Sequence, residues 1–212
     1  MSPGNVYQNI DNIISIPNFI SRLEFFLTQS DRPELIYETC WVITNIAAGN
    51  TDHTRTVVPL LGSLIHLFFY NSTNVQTQAA WAVGNIAGDC AEFRDQVLDQ
   101  TEIVMGLQAL MQMDGTREEQ HQAQMVAVWA ISNLARWKDT NWEKVSIFIP
   151  RLELIATHSQ STDLLSEVCW ALSRIFHGTS KNNKIISELL THNLISRLLY
   201  FSSLGYGKLS IC

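Results

Sequence analysis

A chain of 212 residues that is 46% apolar and 16% charged has the composition of a folded globular protein, and its length suits one continuous domain, 1–212. The four cysteines, Cys40, Cys90, Cys169 and Cys212, are widely separated with no C-x-x-C pair, which argues against a zinc knuckle or a disulfide framework and for a reducing compartment. A formal net charge of −6 argues against nucleic acid as a partner and for a basic one.

No apolar run nears the ~20 residues of a membrane span, and the first Lys or Arg is Arg22, so no secretory signal or membrane partner is expected and the chain starts in the cytosol. The Asn71-Ser72-Thr73 sequon is then incidental. Residues 1–16 read as a partial N-terminal repeat or tail. Helical periodicity then runs throughout, with helices predicted over 17–29, 33–48, 58–70, 74–88, 90–98, 103–113, 118–136, 142–157, 162–177, 180–190 and 193–203. Pro17, Pro33 and Pro150 lie near helix starts, where a missing N–H does no harm. The Asp114-Gly115 turn signal and the charged cluster in "MQMDGTREEQHQ" read as an insertion between helices.

Four of these helices carry a recurring pair. "CWVITNIAAGN" holds Trp41 and Asn45, "QTQAAWAVGNIAGD" Trp81 and Asn85, and "VWAISNLAR" Trp129 and Asn133, while "CWALSRIFHG" holds Trp170 with Arg174 in the amide position. The tryptophans are 40, 48 and 41 residues apart. A period near forty marks helical solenoid repeats, each burying against its neighbours a face it cannot bury alone. The predicted fold is therefore all-α: an armadillo- or HEAT-type solenoid of about four Trp-bearing repeats with partial units at both ends. Gly49, Gly88 and Gly178 close the Trp helices and are expected to adopt left-handed caps.

Residues four apart share a helix face, so each indole and amide look out together. A repeated tryptophan alone reads first as core. The asparagines shift that reading, because a helical core supplies an amide's carbonyl and NH₂ poorly, whereas an extended peptide backbone offers both donors and acceptors. Indole faces suit the stems and charges of Lys or Arg, with a cation–π contribution of ~0.5–2 kcal/mol. Asp89, Asp163 and Glu167 would place carboxylates beside such a groove, Gly49 would leave room for an ammonium, and Thr54 offers a hydroxyl. The six histidines, His53, His66, His121, His158, His177 and His192, show no metal spacing, and no nucleophile–base pair is visible, so neither an enzyme nor a cofactor is expected. "GNIAG" closes a helix instead of opening one and lacks the geometry of a phosphate loop.

These repeats, "ETCWVITNIAAGNTDHTRTVV", "QAAWAVGNIAGDCAEFRDQVL", "VWAISNLAR" and "TDLLSEVCWALSRIFHG", resemble successive armadillo repeats of importin-α, the adaptor that reads nuclear localisation signals. The resemblance covers nearly the whole chain. It implies a right-handed α-solenoid, a location in cytoplasm and nucleus, and Lys/Arg-rich signal peptides as partners. It also implies that Trp41, Trp81, Trp129, Asn45, Asn85 and Asn133 line the major groove, with Trp170 on the fourth rung. Gly49, Thr54 and Asp89 then correspond to the pocket for the key signal lysine, with Gln78 beside it. Asp163 and Glu167 match acidic positions that receive a neighbouring basic residue.

Three departures stand out. The family carries a basic importin-β-binding arm, yet residues 1 to 21 contain no Lys or Arg, so importin-β is expected for the family but its binding segment is not seen. The family has about ten repeats, and a chain this short is expected to lack the minor groove and the export-receptor surface. Finally, Arg174 stands where the family usually has Tyr. An alternative reading is a truncated armadillo scaffold or competitor without coupling to transport.

Overall fold

A computed structural model describes residues 3–179. The helices predicted over 180–190 and 193–203, with His192 and Cys212, lie outside them. The described residues form helices in four successive groups. First come α1 (Pro3–Ile14), α2 (Phe19–Gln29) and α3 (Pro33–Ala47). The second group is α4 (Thr51–Val57), α5 (Leu61–Ile65) and α6 (Thr73–Asp89), with 3₁₀ turns at Val58–Leu60 and His66–Phe69. The third is α7 (Ala91–Leu98), α8 (Thr101–Met111) and α9 (Glu118–Leu134), and the fourth is α10 (Trp142–Ser146), α11 (Ile149–His158) and α12 (Thr162–Thr179).

The longest helix of each group packs on the next: α3 on α6, α6 on α9, and α9 on α12. This is an all-α solenoid, as the forty-residue period predicts. A helix clasped on both flanks has little polar face to offer, and α6 accordingly buries Ala79, Ala80, Ala82, Val83, Gly84, Ile86 and Ala87. Such small side chains let neighbouring helices approach closely. Behind them, Phe68, Phe93 and Phe148 anchor the core, each almost fully buried. The Arg94 side chain is only 1% exposed, yet its guanidinium is satisfied by Asp95, Asp139 and Thr140 at 2.9–3.0 Å. That cluster ties α7 to the loop after α9, and the hydrogen bond from Arg94 holds the Asp139 carboxyl below the ordinary range.

Several sequence expectations change. The stretch 1–16 is largely the helix α1, opened by Pro3. A helix was not predicted at 51–57, although Asn50 caps it: the Asn50 side chain accepts from the His53 N–H at 2.9 Å, and His53 Nδ1 accepts from the Asn50 N–H at 3.2 Å. The helix predicted over 142–157 is two, because Pro150 cannot donate to the carbonyl four residues earlier, at Ser146, where α10 ends. Gly49 and Gly88 do not adopt left-handed caps; among the described residues Gly115 alone of the glycines has positive φ, at 70°, in the turn predicted there. Gly88 and Gly178 fall inside α6 and α12.

Candidate peptide-binding face

Trp41, Trp81, Trp129 and Trp170 stand on α3, α6, α9 and α12, the helices that pack in succession. The rings of Trp81 and Trp129 touch, with centroids 4.6 Å apart and planes tilted by 44°, and both are partly buried against the core. At the ends, Trp41 and Trp170 each remain 47% exposed. Gly84 makes the central contact possible, since a Cβ there would lie 2.3 Å from Trp129 Cζ3.

The asparagine row is bonded from helix to helix. Asn85 Nδ2 donates to Thr44 O at 3.0 Å and Asn133 Nδ2 to Gly84 O at 3.1 Å. In the next register position Arg174 Nη1 donates to Ser132 O at 3.0 Å and to Asn133 Oδ1 at 3.2 Å. This corrects the expectation that stacked helices supply such amides poorly: a helix carbonyl keeps a second lone pair, and the neighbouring long helix presents one to each amide. A second hydrogen of each NH₂ remains beyond that bond. Asn45, on the first rung, is exposed.

Asp89 ends α6. Its Oδ1 accepts from Thr51 Oγ1 at 3.3 Å, while Oδ2 is buried with no hydrogen-bond partner among the described residues. Burial pushes this carboxyl above the ordinary range, against the opposing effects of the Thr51 hydrogen bond and the Arg55 charge. A shielded, unpaired polar atom costs ~1–3 kcal/mol; an incoming cation would remove that cost.

The residues expected around Asp89 sit differently from the sequence reading. Thr54 is fully buried, its hydroxyl within reach of Ala47 O at 3.2 Å and Asn50 O at 3.3 Å. Gln78 is also buried, donating through Nε2 to Thr44 Oγ1 at 3.3 Å, so it braces α6 on α3 from behind the outer surface. At Gly49 a Cβ would lie 2.4 Å from His53 Nδ1, so the buried imidazole occupies the side a side chain would take, while Gly49 itself stays partly exposed. Because Nδ1 accepts from Asn50, the ring proton sits on Nε2, which donates to Asp11 of α1 at 2.8 Å.

On α12, Asp163 is exposed and Glu167 half-buried. Burial raises the Glu167 carboxyl, opposed by the charge of Arg174. Arg174 itself is lowered by burial and by the nearby charge of Arg136, with Glu167 acting the other way. Sequence reasoning missed Gly84, Thr51 and Arg136, the last of which donates to Gly88 O at 3.2 Å. Asn50-Thr51-Asp52-His53 is an N-cap signal that would have placed Thr51 at a helix start, beside the site.

The Armadillo/beta-catenin-like repeat family matches residues 50–88, from the Asn50 cap to the end of α6. Over 202 residues the chain is 34% identical to importin subunit alpha-1b of Oryza sativa subsp. japonica, an alignment covering 92% of this chain and 36% of that protein. It is likewise 34% identical over 189 residues to importin subunit alpha-2 of Arabidopsis thaliana, covering 87% of this chain and 32% of that one. Over most of its own length the chain is thus similar to importin-α subunits, and it spans about a third of the length of those relatives. Its fold matches a designed armadillo repeat protein in complex with the peptide (KR)4, with a TM-score of 0.80 at 23% identity, over 97% of this chain and 82% of that one. A computationally designed armadillo repeat protein for modular peptide recognition matches with a TM-score of 0.75 at 23% identity, over 92% and 79% of the two chains. Armadillo repeats are thus the architecture in which the Trp-bearing helices of this chain stack.

Proposed function

We propose that the Trp/Asn face is a groove for extended Lys/Arg-rich segments, and that the chain reads nuclear localisation signals as an import adaptor in cytoplasm and nucleus. The observation that carries this reading is Asp89, whose buried Oδ2 lacks a partner at the end of the helix bearing Trp81 and Asn85. A lysine ammonium from the peptide would supply the charge-assisted bond that the fold does not. Its methylene stem and those of its neighbours would lie on the exposed faces of Trp41, Trp81, Trp129 and Trp170, each charge adding a cation–π contribution.

The amides act on the backbone. Asn45 is exposed, and Asn85 and Asn133 each keep a hydrogen beyond the one bonded to the adjacent helix, so the row can hold a peptide main chain in register. With helices ~8–10 Å apart, three rungs span room for about six extended residues at ~3.3 Å each. Asp163 and Glu167 would receive a further basic residue. The relatives named importin subunit alpha and the designed neighbour bound to (KR)4 support this reading.

Titrating the chain with a short lysine-rich peptide, against the same peptide with its lysines replaced by alanine, tests it. The lysine peptide should bind and the alanine peptide should not, and affinity should weaken with salt. Equal binding of the two, or of neither, would overturn the proposal.

A further inference from the structure

Beyond the acidic site, the fold builds a second, cationic one. The loop after α9 and the last turns of α12 enclose a cavity of about 210 Å³ lined by Arg136, Trp137, Lys138, Ser173, Arg174 and His177, with Ala135 behind them. No carboxylate is among its lining residues. Among the described residues Lys138 makes no ion pair, and Glu167, on the same helix as Arg174, is the acid that Arg174 feels. Arg136 and Arg174 each use part of the guanidinium fork on main-chain carbonyls, Gly88 O and Ser132 O, which leaves further N–H donors on both. Trp137 adds an independent sign: its Nε1 is buried and has no hydrogen-bond partner among the described residues. Three cationic side chains, an imidazole and a hydroxyl thus line one cavity without a carboxylate, and the indole among them has a buried N–H with no partner.

We infer that this cavity receives an acidic side chain, a phosphoserine or a carboxylate, from the same peptide whose lysine reaches Asp89. The inference rests on the groove reading. Asp89 lies at the end of α6, and Ser173, Arg174 and His177 bring the cavity to the end of α12, two helix steps on in the stack. At ~8–10 Å per step and ~3.3 Å per extended residue, the acidic residue sits about five or six positions from the key lysine. Arg174 therefore changes what the groove selects: a fourth rung that would repel a further basic residue instead favours a basic run followed, in one chain direction, by an acid. A planar guanidinium suits phosphate and carboxylate alike, with phosphate bringing more charge and more acceptors.

The test uses the full chain at fixed ionic strength and peptides of one length, each with a basic run and with alanine, glutamate or phosphoserine placed six residues from the central lysine, on either side. Wild type, Arg174→Gln and Lys138→Gln are compared. On one side of the run only, phosphoserine should tighten binding about tenfold over alanine, and glutamate by less. That gain should shrink to about threefold or below in either variant, while the alanine peptide binds both variants at least as well as wild type. Lys138 is exposed, so Lys138→Gln keeps the test valid if Arg174→Gln disturbs the α9–α12 contact. No gain on either side, or a gain untouched in both variants, overturns the inference and leaves the groove standing if the alanine peptide still binds. Loss of binding for every peptide overturns both.

Discussion

Gly84→Ala is a one-carbon change with two opposed effects of calculable size. In an α-helix the substitution alone favours folding by ~0.5–1 kcal/mol. Here the new Cβ would lie 2.3 Å from Trp129 Cζ3, 3.0 Å from Cε3 and 3.2 Å from Ala130 Cβ. Carbon contacts are comfortable at ~3.5–4.0 Å, so the indole must retreat by more than an ångström, toward or past Trp81, or α6 and α9 must separate. Overpacking of this kind costs ~1–3 kcal/mol, which leaves a net loss of up to about 2.5 kcal/mol once helix propensity is credited. The retreat also disturbs the Asn133 bond to Gly84 O, and with it two adjacent rungs of the proposed groove. Urea denaturation should show the lower stability, and isothermal titration with a lysine-rich peptide at least an approximately tenfold weaker affinity, ~1.4 kcal/mol. Stabilisation by ~0.5–1 kcal/mol with unchanged affinity would refute the reasoning, since propensity would then be all that Gly84 contributes.

The tryptophans should divide by exposure: Trp41→Ala, at a site 47% open, should cost less than ~1 kcal/mol of stability, whereas Trp129→Ala should cost about 2–3 kcal/mol, and both should weaken the peptide. Urea melts alongside titrations check this. Arg94→Ala should cost about 3 kcal/mol through the cavity and the lost bonds to Asp95, Asp139 and Thr140, with no direct effect on peptide affinity at temperatures where the variant is folded. At Asp89 the folded-state carboxyl is raised by burial, so its contribution to stability is present below the unfolded value and lost as pH rises through the folded one. Peptide affinity runs the opposite way, falling as acid protonates the carboxylate, and Asp89→Asn should flatten both dependences in melts and titrations run across that acid range.

The large helices were legible because their signals are periodic and redundant. The Trp-x-x-x-Asn pairs located α3, α6 and α9, Pro33 marked the start of α3, and the Asp114-Gly115 turn marked the break between α8 and α9. What escaped was short or contextual. The helix α4 is only 7 residues long, and its evidence is a single capping box in which His53 stands where Glu or Gln is usual. Gly49 and Gly88 looked like helix ends because glycine often serves there. They are small for a different reason: Gly49 makes room for His53, and a Cβ on Gly88 would stand 3.2 Å from the Asn133 amide. That distinction depends on which side chain arrives from the next repeat, some forty residues away, and local sequence does not carry it. The burial of Thr54 and Gln78 escaped for the same reason. The Trp/Asn stripe showed which residues share a face, whereas the helix-to-helix bonding of the amides required the stacked carbonyls of Thr44 and Gly84 to be in place.

A double-mutant cycle tests the groove reading most directly. Wild-type chain and Asp89→Asn are each titrated with a lysine-rich peptide and with single Lys→Ala versions of it, and Glu118→Gln, at an exposed site on α9, serves as the control. One peptide lysine should couple to Asp89 by about 1.5 kcal/mol or more, as close charge pairs across an interface do, with Glu118 coupling to none beyond the small, salt-screened range of surface pairs. Additive losses at Asp89 for every lysine, or couplings at Glu118 of equal size, would contradict it.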